Sequence, residues 1–137
     1  NVARAYRSEM QPNGEEKVLD GAKVGFFSLE MSAEQLATRI LSEQAEIASE
    51  KIRRGMITQD EFNKLVLVSQ EMSRAPLFID QTGGITVAQL AARARKLKRQ
   101  KGLGLLIIDY LQLLAGSSKS ANAGRVQEIT EITTGLK

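Results

Sequence analysis

The chain has 137 residues, 42% of them hydrophobic, and a formal net charge of +3, which suits one ordinary domain with an apolar core. It contains no cysteine and no histidine, which excludes disulfides, thiolate metal sites and imidazole catalysis. Any catalytic acid or base must therefore be Asp, Glu, Lys or Tyr. The chain also lacks an apolar run of the ~18 residues that would span a membrane.

The first half of the chain predicts one strand among several helices. Residues 1–9 have the spacing of a helix, whereas residues 11–23 hold proline and glycine among charges and predict a loop. The apolar run "KVGFFSL" (23–29) predicts a strand. Two capping boxes, in which a Ser or Thr precedes Gln or Glu by three residues, begin helices at Ser32 and Thr58. A short helical turn between them ends at Gly55.

The second half alternates strands and helices again. "LFID" (77–80) and "LLIID" (105–109) predict strands, and "QTGG" after the former predicts a turn. A third capping box begins a helix at Thr86, and Gly102 follows that helix. Residues 116–125 are small and polar and predict a mobile loop, and residues 125–136 have helical spacing.

Strands that alternate with helices and are continuously apolar are typical of a parallel sheet covered on both faces. Ligands of such sheets gather at the carboxyl ends of the strands. Glu30 and Asp109 both lie at or just past such an end. We therefore expect an α/β fold with a functional site at this edge.

Asp109 follows four apolar residues, which is the general form of a Walker B strand. A buried strand holds such a carboxylate rigidly, so that it can bind Mg²⁺ directly or through water beside a nucleotide. The alternative is structural, because many strands end in an aspartate that caps the next helix or turn.

Glu30 lies in the turn between a predicted strand and the helix that begins at Ser32. It is a candidate general base that would deprotonate a water attacking a γ-phosphate. It could equally be an exposed glutamate stabilised by the helix dipole. If both acids serve one site, their carboxylates should face a common cleft, about 5–10 Å apart, the span of a hydrated magnesium and a phosphate.

The phosphate-binding loop that should accompany these acids, G-x-x-x-x-G-K-[S/T], is absent from the sequence. If the chain is a P-loop ATPase, the loop must precede Asn1, and residues 1–9 would be the later turns of the helix that follows it.

Two basic stretches are candidates for nucleic-acid contact. The run "RARKLKRQK" (93–101) is either a solvated helix face or a DNA-binding surface. The loop 116–125 contains Lys119 and Arg125 and directly follows the Asp109 segment. It could touch a phosphate backbone or be an ordinary surface loop.

Several stretches together resemble the RecA-like ATPase domain of the bacterial replicative DNA helicase, the DnaB family. The combination of "FSLEM" (27–31) with "IDYLQL" (108–113) is the most specific. The resemblance extends over nearly the whole chain, and residues 11–23 look like a lineage-specific insertion. It implies a three-layer P-loop NTPase fold with a mainly parallel sheet, incomplete here, so that residues 1–137 form a partial ATPase domain.

The resemblance also implies a function and partners. The family forms homo-hexameric rings that move along single-stranded DNA in the cytoplasm and unwind duplex DNA with ATP and Mg²⁺. It implies that Glu30 is the catalytic base, that Asp109 binds the nucleotide's metal, and that primase and a helicase loader bind the full-length protein. We expect the chain alone to be inactive. The alternatives are a recombination- or clock-type RecA-like ATPase and a non-catalytic interaction module.

Overall fold

A computed structural model of the chain describes residues 1–111 and Leu114. In chain order, its elements are β1 (Arg7–Met10), β2 (Glu16–Asp20), β3 (Val24–Ser28), α1 (Ala33–Ala45), α2 (Ser49–Arg53), α3 (Gln59–Arg74), β4 (Leu77–Asp80), α4 (Val87–Lys101) and β5 (Leu105–Asp109). The predicted helix over 125–136 and loop over 116–125 lie outside the described residues.

β3 is the central strand of a three-stranded sheet in the order β4-β3-β5. It pairs in parallel with both neighbours: Val24 lies opposite Leu77 and Leu105, and Ser28 lies opposite Asp109. The predicted parallel sheet is therefore confirmed. Because the strands run the same way, their carboxyl ends meet at one edge.

Helices cover both faces of this sheet and make three layers. On one face, Ile40 of α1 and Met72 of α3 line a small cavity together with Leu77 and Ile79 of β4. On the other face, Leu90 of α4 belongs to a buried cluster with Phe27 and Leu29.

Gly25 lies on the α4 side of the sheet, where packing is close. A Cβ atom there would lie 2.9 Å from the Leu97 side chain and 3.0 Å from that of Leu103. A larger residue there would force the ends of these two leucine side chains to shift, so glycine favours the close approach of α4 to β3.

Coverage of the sheet is less complete than its sequence predicts. β3 is mostly buried, but on β5 the exposed fraction is 36% for Leu105 and 37% for Ile107. β5 is an edge strand of the described sheet, so α1 and α3 reach across its face only in part. The predicted cover on both faces is therefore only partial over this strand.

The three predicted capping boxes are all present. Ser32, Thr58 and Thr86 each accept a hydrogen bond from the backbone three residues on, and the Gln or Glu at that position accepts one from the cap residue's N–H. Gly102 ends α4 in the left-handed conformation, with φ 78°. These helix boundaries were predictable because the hydrogen bonds that set them are local.

The N-terminal segment differs from its prediction. Residues 7–10 form a strand instead of a helix, and they pair antiparallel with β2, within the predicted loop. Asn13-Gly14 lies between the strands, with Gly14 at φ 81°. An Asn-Gly pair is a strong hairpin signal, and the sequence interpretation missed it. A helix of nine residues is only marginally stable by itself, so pairing with β2 gives residues 7–10 the more stable structure.

Glu16 holds this hairpin to the rest of the chain. Its carboxylate accepts hydrogen bonds from Lys23 at 2.6 Å, Tyr6 at 2.5 Å and Ser8 at 2.7 Å. These bonds lower the pKa of Glu16 from 4.5 to about 2, and the bond from Lys23 has the largest effect. The carboxylate is therefore charged at neutral pH, and the ion pair with Lys23 persists.

Gly21, which follows β2, is expected to tolerate substitution poorly. Its φ is +63°, and a Cβ atom would lie 2.5 Å from the Val2 carbonyl oxygen. We expect Gly21→Ala to lower the free energy of opening of the hairpin by about 2–3 kcal/mol, from backbone strain and this clash. Hydrogen–deuterium exchange of the β1 and β2 amides measures it.

Gly14→Ala is the matched control, because Gly14 also has a positive φ, of +81°, but its Cβ would meet nothing within 4 Å. Strain alone should cost about 1 kcal/mol there. Equal effects of the two substitutions would show that the close approach to Val2 contributes nothing.

In the described part of the chain, no helix is both long and apolar enough to cross a membrane.

Candidate active site

Asp109 is the last residue of β5 and lies opposite Ser28 in the sheet. Side chains alternate along a strand, so Asp109 falls on the same face as Leu105 and Ile107, the face covered by α1 and α3. Its surroundings leave it partly buried. Among residues 1–111 and Leu114, no hydrogen bond or ion pair engages its carboxylate.

Glu30 is exposed and lies in the turn that joins β3 to α1. The backbone N–H of Leu29 donates to the Asp109 carbonyl at 2.8 Å, which ties this turn to the end of β5. The buried Ser28 hydroxyl donates to the Met31 carbonyl at 2.8 Å, which links the end of β3 to the turn. The two predicted acids thus lie at the carboxyl ends of adjacent parallel strands, at the same edge of the sheet.

A third residue reaches this turn from a different element. The N–H of Ala33, the first residue of α1, donates to the side-chain oxygen of Gln81, which directly follows β4. The sequence interpretation missed Gln81, although it too follows a strand that ends at this edge. Its position directly after a strand could have identified it, but the sequence interpretation considered only acidic residues at the strand ends.

A cleft of about 680 Å³ lies beside Glu30. Its lining residues come from the turn, α1 and α2: Glu30, Met31, Glu34, Gln35, Thr38, Arg39, Ser49 and Arg53. Asp109 is not among them. The adjacent strand ends are confirmed, whereas the common cleft and the separation of about 5–10 Å stay predictions.

Asp80 ends β4 as Asp109 ends β5, but its carboxylate is engaged. Arg93 of α4 donates to both carboxylate oxygens, at 2.8 and 3.0 Å, and to the Thr82 hydroxyl at 2.6 Å. Partial burial alone would raise the pKa of Asp80, but hydrogen bonds from Thr82 and Arg93 outweigh it and hold the pKa below its ordinary value. Asp80 is thus a structural ion-pair partner.

The cationic run on α4 lies at the surface. Its exposed members are Arg93, Arg95, Lys96, Lys98, Arg99 and Lys101. Of these, Arg93 is bound to Asp80, and the positions of the others agree both with a solvated face and with DNA contact. The other candidates for DNA contact, Lys119 and Arg125, lie outside the described residues.

The donor chemistry of Asp109 suits magnesium. Over residues 1–111 and Leu114, no three acidic side chains gather into a group that could hold a metal ion. Mg²⁺ is commonly bound through one or two carboxylates, with water and substrate phosphates completing its coordination. A single strand-ending aspartate fits that pattern.

A parallel three-stranded sheet with helices on both faces is a partial RecA-like fold. The chain is similar to a solved structure that is described as an ATPase domain, with a TM-score of 0.75 and 29% identity over 82% of this chain and 40% of that one. A structure of a DnaB-like replicative helicase, described with its interactions with primase, matches with a TM-score of 0.74, 29% identity, 82% of this chain and 27% of that one.

The chain belongs to the DnaB-like helicase C-terminal domain family, whose sequence profile matches residues 6–137. The replicative DNA helicase DnaB of Rickettsia prowazekii is 53% identical over 114 residues, 83% of this chain and 23% of that protein. The DnaB of Geobacillus stearothermophilus is 42% identical over 83% of this chain and 25% of its own length. The chain thus spans about a quarter of these relatives.

Proposed function

We propose that this chain is the central part of a helicase ATPase domain, which in the full-length protein couples ATP hydrolysis to the unwinding of duplex DNA at replication forks. Membership of the DnaB-like family supports this proposal. The observation that carries it is the parallel pairing of β3 with β5, because it brings the turn with Glu30 and the end of the Asp109 strand to one edge of the sheet.

Each acid has a distinct role in this proposal. Asp109 would hold Mg²⁺ directly or through water. Its chemistry there would be charge neutralisation at the phosphate oxygens. Glu30 accepts a proton from the attacking water, and its exposed place beside an open cleft leaves its carboxylate accessible for that task.

The partners follow from the same family membership. We propose that the full-length protein forms a homo-hexamer around single-stranded DNA in the cytoplasm and that primase and a helicase loader bind it. The related DnaB-like helicase structure is described with primase interactions. Lys119 and Arg125 remain our candidates for contact with the DNA backbone.

The alternative is a non-catalytic interaction module, since the 137 residues contain no phosphate-binding loop motif. Measuring unwinding of a forked duplex by the full-length protein separates the two functions. We expect strand separation with ATP and none with a non-hydrolysable analogue. A full-length protein that binds the fork but neither hydrolyses ATP nor separates strands would favour the module.

The isolated 137-residue chain is expected to show no measurable ATP turnover and only weak nucleotide binding, because it lacks the backbone cradle and lysine of that loop. Phosphate release measured with excess ATP and Mg²⁺ tests this. Robust hydrolysis that disappears in the Glu30→Gln chain would show that these residues suffice for catalysis, contrary to our expectation.

A further inference from the structure

The turn that carries Glu30 is held by hydrogen bonds within the turn and by others to the ends of β5 and β4. Within the turn, Ser28 bonds to the Met31 carbonyl, and the Ser32 capping box fixes the start of α1. From outside it, the Asp109 carbonyl accepts from the Leu29 N–H, and Gln81 accepts from the Ala33 N–H. Gln81 is therefore the described side chain that reaches the start of α1 from a different strand of the sheet.

The residues on either side of Gln81 are themselves held by hydrogen bonds. The preceding residue, Asp80, is bound by Arg93 of α4, and the Thr82 N–H donates to Asp80 at 3.0 Å. The turn after β4 also lies close to the segment it supports, since a Cβ on Gly83 would lie 3.5 Å from the Leu29 carbonyl oxygen. The β4–α4 turn is thus braced by α4 on one side and contacts the Glu30 turn on the other.

A hydrogen-bond acceptor at Ala33 has two possible consequences. The first is ordinary helix capping, because the first N–H groups of a helix have no partner within the helix. The second is positional: fixing the first residue of α1 fixes the end of the four-residue turn in which Glu30 lies. Only the second consequence concerns catalysis, since a general base must lie within hydrogen-bond reach of the water it deprotonates.

We propose that Gln81 is a positioning residue for Glu30, which it holds in a reactive place by tying the first residue of α1 to the braced β4–α4 turn; this rests on the role of Glu30 proposed above. Gln81 touches no reacting atom. It acts through the backbone of the turn, and its loss leaves nucleotide binding intact while the base moves. Small displacements of catalytic groups lower rates by as much as ~10²-fold.

The test uses the full-length protein with DNA-stimulated ATP hydrolysis as the readout. We expect Gln81→Ala to lower kcat about 10-fold while the KM for ATP changes less than about twofold. Gln81→Met keeps the length of the side chain but removes the acceptor, and should behave like Gln81→Ala. Gln81→Glu keeps an acceptor near the positive end of α1 and should retain kcat within about threefold. Because Gln81 is exposed, these changes leave the core intact.

Gln89→Ala is the matched control for the loss of a helix cap. The Gln89 side chain accepts from the Thr86 N–H at 2.9 Å at the start of α4, so the same chemical bond is lost without contact to the Glu30 turn. Both Gln89→Ala and Gln81→Ala should lower the melting temperature, but Gln89→Ala should leave kcat near that of the parent protein. A kcat for Gln81→Ala equal to that of Gln89→Ala, or full activity of Gln81→Met, overturns the positioning role.

Glu30→Gln separates a failure of this inference from a failure of the function on which it rests. If Glu30→Gln retains turnover, Glu30 is not the base and the proposed mechanism fails together with the positioning role. If Glu30→Gln is inactive while the Gln81 variants are fully active, the mechanism stands and the positioning role alone is wrong.

Discussion

Asp109→Asn is expected to abolish ATP hydrolysis by the full-length protein while the fold survives. The substitution keeps the shape of the side chain but removes the negative charge that would hold Mg²⁺ at the end of β5. Since charge neutralisation by the metal is worth several kcal/mol in the transition state, we expect a loss of at least ~100-fold in kcat. Phosphate release measures the rate, and circular dichroism the fold.

Asp60→Asn is the matched control for this charge removal, because Asp60 is an exposed residue in the first turn of α3. It should hydrolyse ATP at the parent rate. Near-normal turnover by Asp109→Asn would remove Asp109 from the site and leave it as a strand-ending residue that serves the following turn.

Glu30→Gln is expected to lower kcat by ~10²–10⁴-fold, the usual contribution of a general base, with little change in the affinity for ATP. The amide retains the size of the side chain but cannot accept the proton of the attacking water. Equilibrium binding of ATP and single-turnover hydrolysis measure the two quantities separately.

Glu34→Gln controls for the loss of a carboxylate from the same cleft, since Glu34 lines it from the first turn of α1. We expect nearly full activity from this variant. Equal activities of the Glu30 and Glu34 variants would contradict the catalytic role and favour an exposed glutamate stabilised by the helix dipole.

Much of the fold is predictable because its determinants are local. The starts of α1, α3 and α4 follow from capping boxes whose partners are three residues apart. Apolar runs too short for helices predict β3, β4 and β5, and their alternation with helices predicts a parallel sheet. Because parallel strands end at the same edge of a sheet, the prediction that Glu30 and Asp109 lie at one edge follows directly.

The hairpin of β1 and β2 was not predicted, because the Asn13-Gly14 signal was missed and the exposed strands have little apolar alternation. Pairing between the strands stabilises it, together with the hydrogen bonds that Glu16 accepts from Lys23 and Tyr6. These contacts join residues that lie apart in the sequence, so the helical spacing of residues 1–9 gave the wrong answer.

The sequence by itself determined that acids stand at the carboxyl edge of a parallel sheet in a DnaB-like chain. The sequence interpretation did not consider Asp80, although it too ends a short apolar strand. Only the tertiary structure decided that the Asp80 carboxylate is engaged, because α4 brings Arg93 to it from 13 residues away. It also joined Gln81 to Ala33 across 48 residues of chain. Such pairings depend on how helices pack against the sheet, and no local pattern of residues encodes that packing.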